Sequence, residues 1–460
     1  MSEAHGIAVV GTGVVGLAVA CELLDRGLRV TVVGPRGGDH RGQASRAAGA
    51  MLSTFSEIEP GHDPARVTVE TGERLAAHEM YPGWLDRLGI GQQADQGTWV
   101  LAPAGRRAWL DPIAAAATAA GHPAELHDPG DIPGLAAPRE SAAALWLPTE
   151  ASIDSRLLLD ALAAAVTRHP HAEWRDTTAT AAGAGAVRCA DGGTVTAGHV
   201  VLAAGAMIPA LLPEAGRPLG VPPVLAGRGA SLLLEIPQVP VEHVVRTPNA
   251  AFACGVHLVP RAGGGLYLGG TNRLTLSPDP ERRATTGELA ALIGDATALL
   301  DHRLTGAEVT GTRVGLRPYT IDHLPLIGPT GDPQVLLATA TYRCGVLLAP
   351  RIAALIADEV TAPGTLDGHP YRALRPMPAP GAESVTGSAA ADLIDHLLQG
   401  GGHLPPQAQA ELAAFLPAAL NAMLAGPGGS AALRRLWGAA PVPEILPSLL
   451  SLAARKQAAQ

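Results

Sequence analysis

The order of apolar and polar positions over the first 36 residues predicts strand, helix, strand. Ile7 to Val10 is a short, mostly β-branched run suited to a buried parallel strand. Val15, Val19 and Leu23 then recur on one stripe of a helix over 14–26, which Gly27 is suited to cap, and Leu28 to Val33 is a second strand. Further along, 65–90 predicts a helix, "GTWVLA" (97–102) a strand, and 155–168 a helix. "GTVTAGHVVLAAGA" (193–206) predicts a strand pair ending in a glycine turn at Gly205. Residues 221–275 are strand-rich, with a hairpin turning at 262–265. Residues 285–301 predict a helix, and 335–360 a strand, a glycine-containing turn and a helix. A linker over 371–388 precedes short Ala/Leu helices over 389–460.

Gly11, Gly13 and Gly16 follow the first strand in the spacing G-x-G-x-x-G. The first allows a tight turn, the second lets backbone approach a phosphate, and the third lets the helix pack close to the strand. With the helix N-terminus behind them they predict a dinucleotide site. The acid that normally grips the ribose is missing, because the second strand runs into Gly34, Pro35 and Arg36. Arg36 leaves three roles open at this point: a 2′-phosphate partner, a contact to other cofactor phosphates, or a solvated loop residue.

Composition narrows the function. The chain has 460 residues, room for two or three domains, and a net charge of −9, which argues against nucleic acid or an anionic membrane as partner. No apolar run predicts a membrane span. Cys21, Cys189, Cys254 and Cys344 lack metal-type spacing and predict reduced thiols in a cytoplasmic protein. The only lysine is Lys456, so a Schiff-base lysine and a phosphate-binding loop lysine are excluded from the remainder, and a carboxylate-binding cation must be arginine.

Four stretches occur in order: "VVGTGVVGLAVA", "SRAAGAML", "VVLAAGA", and "GLRPYTIDHLPLIG" followed by "YRCGVLLAP". Together they make residues 5–365 resemble the D-amino-acid oxidase superfamily of FAD flavoproteins, and within it the glycine oxidase branch that includes thiamine-pathway enzymes. The resemblance implies an α/β fold: a discontinuous, Rossmann-like FAD domain (1–55, 150–220, 320–370) with an antiparallel-sheet substrate domain (56–149, 221–319). It implies non-covalent FAD rather than NADP. Val14 and Val15 then lie at the pyrophosphate turn, Ala44 and Ser45 on the phosphate side, and Gly49, Ala50 and Met51 along the flavin. Ala179 gives a backbone contact to adenine, and Thr341, Tyr342, Arg343, Cys344, Gly345, Val346 and Leu347 form the turn over the pyrimidine end. Gly34 and Pro35 stand where the branch usually has Glu, a loss on the order of 1–3 kcal/mol for which Asp39 or water is the expected substitute.

By the same resemblance Arg317 pairs with a substrate carboxylate and Arg343 is a second substrate-side arginine. Met51, His257 and Asn272 complete the expected site. His257 stands where the branch often has Tyr, and Asn272 replaces a residue that can be apolar; a polar pocket suits glycine or an N-substituted glycine. The implied reaction is FAD-dependent removal of hydride from the α-carbon of a small amino acid to give an imine, with O₂ as acceptor and H₂O₂ as product. No lysine is present near the expected flavin to assist O₂. Three alternatives remain: a specialised oxidase or dehydrogenase for an unusual N-substituted glycine, a non-catalytic flavoprotein, and an NADP reductase. The extension over 389–460 is expected to pack on its own FAD domain, with a second copy or a partner protein as the other occupants.

Overall fold

The structure, a computed structural model, describes residues 6–375 apart from 38–39, 60–63, 92–95, 213–219, 223, 250–253, 262, 276–277, 282 and 321–322. The expected helical extension, most of the linker and Asp39 therefore lie outside the described residues.

The apolar run Ile7–Val10 becomes the middle of a parallel sheet, pairing with Val30–Val33 on one side and His199–Leu202 on the other. The sheet reads, edge to edge, Leu326–Pro329, Val335–Thr339, His199–Leu202, Ile7–Val10, Val30–Val33, Ala172–Arg175. Only the first pair is antiparallel. Helices Val14–Asp25 and Gly345–Thr361 pack together with the sheet in one apolar core, which explains why the central strands lack polar alternation. Both helices begin at the carboxyl ends of the strands before them, where open α/β sheets bind ligands.

A second, mostly antiparallel sheet runs Gly42–Gln43, Glu308–Tyr319, Leu225–Glu235, Leu266–Gly269, His257–Pro260, Val244–Arg246, Gln96–Ala102, Ala143–Ser152, Met51–Leu52. Arg273–Thr275 and Glu125–His127 add to it off this path. The predicted hairpin is present, with His257 directly opposite Gly269. No helix among the described residues is long and apolar enough to cross a membrane.

Three expectations need correction. Residues 193–206 hold two strands, but they do not pair with each other. The half-exposed Thr194–Thr196 edges a separate three-stranded sheet, while the apolar His199–Leu202 enters the parallel sheet. Gly42–Gln43 and Met51–Leu52, expected within the cofactor domain, extend the large sheet. Ala143–Ser152 runs through the expected boundary at 149–150 as one continuous strand whose last three residues are all buried.

A tight joint lies at Gly11, whose φ is +120° and where a Cβ would lie 2.4 Å from the Ala203 carbonyl oxygen. Gly11→Ala should destabilise the cofactor-free protein by at least about 2 kcal/mol in denaturant unfolding. Gly27→Ala, at a positive φ but with nothing within 4 Å of the new Cβ, should cost only about 1–2 kcal/mol.

Candidate active site

The glycine fingerprint keeps the crevice between the sheets free of side chains. A Cβ on Gly16 would meet the Gly11 oxygen at 2.2 Å, so its bareness sets how closely the helix packs, and Gly16 itself does not line the crevice. Gly13 faces the crevice, where a Cβ would meet the Ser45 hydroxyl at 3.5 Å and Gln43 Nε2 at 3.9 Å. Ser45 Oγ accepts a hydrogen bond from the Val14 N–H at 3.1 Å, and Gln43 Nε2 donates to the Thr12 oxygen at 2.9 Å.

From this turn a cavity of about 600 Å³ extends along the strand ends, within the size range of ligand sites. Gly11, Gly13, Val14, Val15, Gly34, Pro35, Ala44, Ser45, Ala179, Gly205, Thr341, Tyr342, Arg343, Gly345 and Val346 line it, as does Arg317. A long groove with a glycine floor, bounded by two helix N-termini, fits a dinucleotide such as FAD. At position 34 a Cβ would sit 2.7 Å from the Thr12 methyl. Thr12 thus fills the space that an acidic side chain there would need. Arg36 does not line the groove: its guanidinium lies over the Trp174 ring and donates to Thr167.

A smaller chamber of about 70 Å³ shares Arg317, Tyr267 and Arg343 with the groove. Gly49, Ala50, Met51, Cys344, Val346 and Leu347 form one side of it, and Arg246, Asn249, Cys254 and His257 another. Arg317 comes from the strand Glu308–Tyr319 and lies flat on its neighbour, where a Cβ on Gly229 would meet Nη1 at 2.1 Å. Nη1 donates to the Thr271 oxygen at 2.9 Å and to Asn272 Oδ1 at 3.3 Å. Among the described residues no carboxylate lies within salt-bridge distance of Arg317, and Nε and Nη2 make no hydrogen bond.

The other two chamber arginines are paired. Arg246, 1% exposed, bonds Glu57 Oε1 at 2.6 Å and Asn249 Oδ1 at 2.6 Å. Arg343 reaches Glu57 Oε2 at 3.2 Å, pairs with Glu59, and stacks over the Tyr342 ring. Buried cations need such partners. Burial alone would raise the Glu57 carboxyl, but Arg246 and then Arg343 overrule it and hold the group well below the usual range. The loop carrying Glu57 is pinned by Glu150, which accepts from the Phe55 and Ser56 N–H groups and the Ser56 hydroxyl at 2.6–2.8 Å.

Two expected roles change. Arg343 lines the site, but its guanidinium edges are taken by Glu57 and Glu59, so it is not a free carboxylate receptor. Asn272 does not line the groove or the chamber; it sits behind Arg317, accepting from it and donating to the Tyr342 hydroxyl at 2.6 Å. Glu57, Arg246 and Asn249 were missed by the sequence reading. The available signal was an arginine closing the apolar run "HVVRT" (243–247).

His257 is buried, and its Nδ1–H donates to the Gly255 oxygen at 2.8 Å. Desolvation and the nearby Arg246 push its pKa down to about 3, so the ring is neutral at ordinary pH.

A family model described as FAD dependent oxidoreductase matches residues 6–359. A putative thiamine biosynthesis oxidoreductase ThiO of Rhizobium etli is 32% identical over 375 residues, covering 80% of this chain and 98% of that protein. A bifunctional protein ThiO/ThiG of Trichormus variabilis is 28% identical over 369 residues, covering 77% of this chain and 52% of that protein; the chain spans about half its length. The crystal structure of glycine oxidase from Geobacillus kaustophilus superposes with a TM-score of 0.70 at 26% identity, covering 81% of this chain and 99% of that one.

Glu57→Gln strips Arg246 and Arg343 of a shared countercharge and should cost about 3–5 kcal/mol in urea unfolding near neutral pH. A carboxyl held low in the fold stabilises above its unfolded pKa of about 4.3 and loses that contribution as pH falls. The gap between wild type and variant should therefore narrow as unfolding is repeated from pH 5 down to pH 3.

Proposed function

The chain belongs to the FAD dependent oxidoreductase family, and from that premise we propose that it oxidises glycine or a small N-substituted glycine to the imine, with O₂ as electron acceptor. The observation that carries this reading is the imbalance of charge in the chamber. Arg246 and Arg343 are neutralised by Glu57 and Glu59, whereas Arg317 turns an unoccupied guanidinium edge toward the same space. The chamber so arranged takes one carboxylate, and its small volume favours a small amino acid.

FAD, bound non-covalently along the groove, would supply the hydride acceptor and hand the electrons on to O₂, giving hydrogen peroxide. The chain's own residues do the positioning. Arg317 fixes the substrate carboxylate bidentately, and Thr271, Asn272 and Gly229 fix Arg317. Orientation of this kind supplies a large share of a rate enhancement. The first N–H groups of the helix Gly345–Thr361 favour negative charge at the end of the groove beside Val346. The N-substituted glycine is kept as a second reading because Asn249, His257 and Arg246 make the far wall polar rather than apolar.

The test is anaerobic mixing of the yellow protein with glycine and sarcosine. The reading requires loss of the flavin absorbance with at least one of them, and peroxide once air is admitted. Bleaching without peroxide would make the protein a dehydrogenase, and no bleaching with any small amino acid would make it a non-catalytic flavoprotein. Arg317→Ala should lower kcat/KM by the equivalent of about 2–5 kcal/mol, mostly through KM, and Arg317→Lys should recover little of this because it lacks the planar fork.

A further inference from the structure

The His257 ring lies over bare backbone: a Cβ on the facing Gly269 would sit 2.3 Å from Nε2. The next glycine, Gly270, lies under both groups of interest, since its Cβ position is 3.3 Å from Arg317 Nη2 and 3.8 Å from His257 Cε1. One small amino acid can therefore touch the guanidinium and the imidazole together. Because Nδ1–H is committed to the Gly255 carbonyl, the tautomer is set, and the other nitrogen carries a lone pair and no hydrogen. That nitrogen has no hydrogen-bond partner among the described residues and is not sealed from the chamber that the ring lines. The neutrality of the ring agrees with this: it accepts a hydrogen bond but does not compete with Arg317 for the carboxylate.

We propose that His257 Nε2 accepts a hydrogen bond from the substrate amine, so that the site selects carboxylates bearing at least one N–H on the neighbouring carbon. This rests on the amino-acid oxidase reading above and narrows its substrate class. Primary and secondary amines, such as glycine and sarcosine, satisfy the lone pair. A tertiary amine such as N,N-dimethylglycine leaves it bare against two methyl groups. A site built around a substrate N–H discriminates strongly against an analogue lacking it.

The experiment compares kcat/KM for glycine, sarcosine and N,N-dimethylglycine in the FAD-loaded full chain, for wild type, His257→Phe and His257→Gln. In parallel, acetate, a carboxylate without an amine, is titrated by its perturbation of the flavin spectrum. Wild type should prefer sarcosine over N,N-dimethylglycine by tenfold or more. His257→Phe, which keeps a ring over Gly269 but offers no acceptor, should bring the two within threefold while leaving acetate affinity within twofold. His257→Gln, with an acceptor oxygen, should restore part of the preference. An unchanged preference in His257→Phe would assign it to steric exclusion and overturn the proposal, and so would a parallel loss of acetate affinity. Should the variants fail to fold, equal kcat/KM values for the two methylated amines in wild type overturn it alone. If wild type is bleached by none of the three, the oxidase reading fails and this inference with it; if wild type is active and the ratios do not move, only the inference fails.

Discussion

A partly buried guanidinium without a countercharge is costly, and the chamber beside the groove is arranged around one such group. Arg317 is held by the Thr271 carbonyl and the Asn272 amide oxygen, just before strand Arg273–Thr275, instead of by a carboxylate. The acids close to the chamber are engaged elsewhere. Glu57 is divided between Arg246 and Arg343, and Glu59 pairs with Arg343. The result is a small polar space with a single attractive point for an anion, next to a groove of dinucleotide dimensions.

Glycine does as much as any side chain to create that arrangement. Gly11 and Gly16 bring strand and helix together, Gly229 gives the guanidinium a flat bed, and Gly269 makes room for an imidazole. Three of the four non-glycine residues with positive φ among the described residues gather at the same place: Ala50, Ala340 and Tyr342 have φ between +47° and +59°, and each lies in or beside the walls of the groove and chamber, while the fourth, His323, does not line them. Backbone strain of this kind persists only where the surroundings over-determine it, and it gathers at ligand sites.

Much of this was legible along the chain. The first strand–helix–strand unit, the glycine fingerprint and the hairpin opposite His257 all follow from short-range periodicity and turn chemistry. The arginine in "GLRP" stood out through the resemblance of its motif to the glycine oxidase branch. What was hidden depends on distant pairs: Glu57 meets Arg246 across 189 residues, and no local pattern brings them together. Asn272 was assigned to the wrong side of Arg317 because its packing on Gly227 is a matter of strand pairing. Residues 193–206 read as a strand pair because two adjacent strands that serve different sheets resemble two strands that pair. The absent ribose acid was visible, but its explanation, the methyl of Thr12 inside the glycine turn, 22 residues earlier in the chain, required the third dimension.

One strand, Glu308–Tyr319, carries Arg317 to the chamber while its Gly315, Leu316 and Pro318 line the adjoining groove. The distance from Arg317 to the groove is therefore built into a single extended rod, bonded along its length to Leu225–Glu235. New pocket shapes in such a scaffold would arise by remodelling the opposite walls, the loop around Glu57 and the hairpin bearing His257, with Arg317 as an unmoving ruler from which every evolved variant is measured.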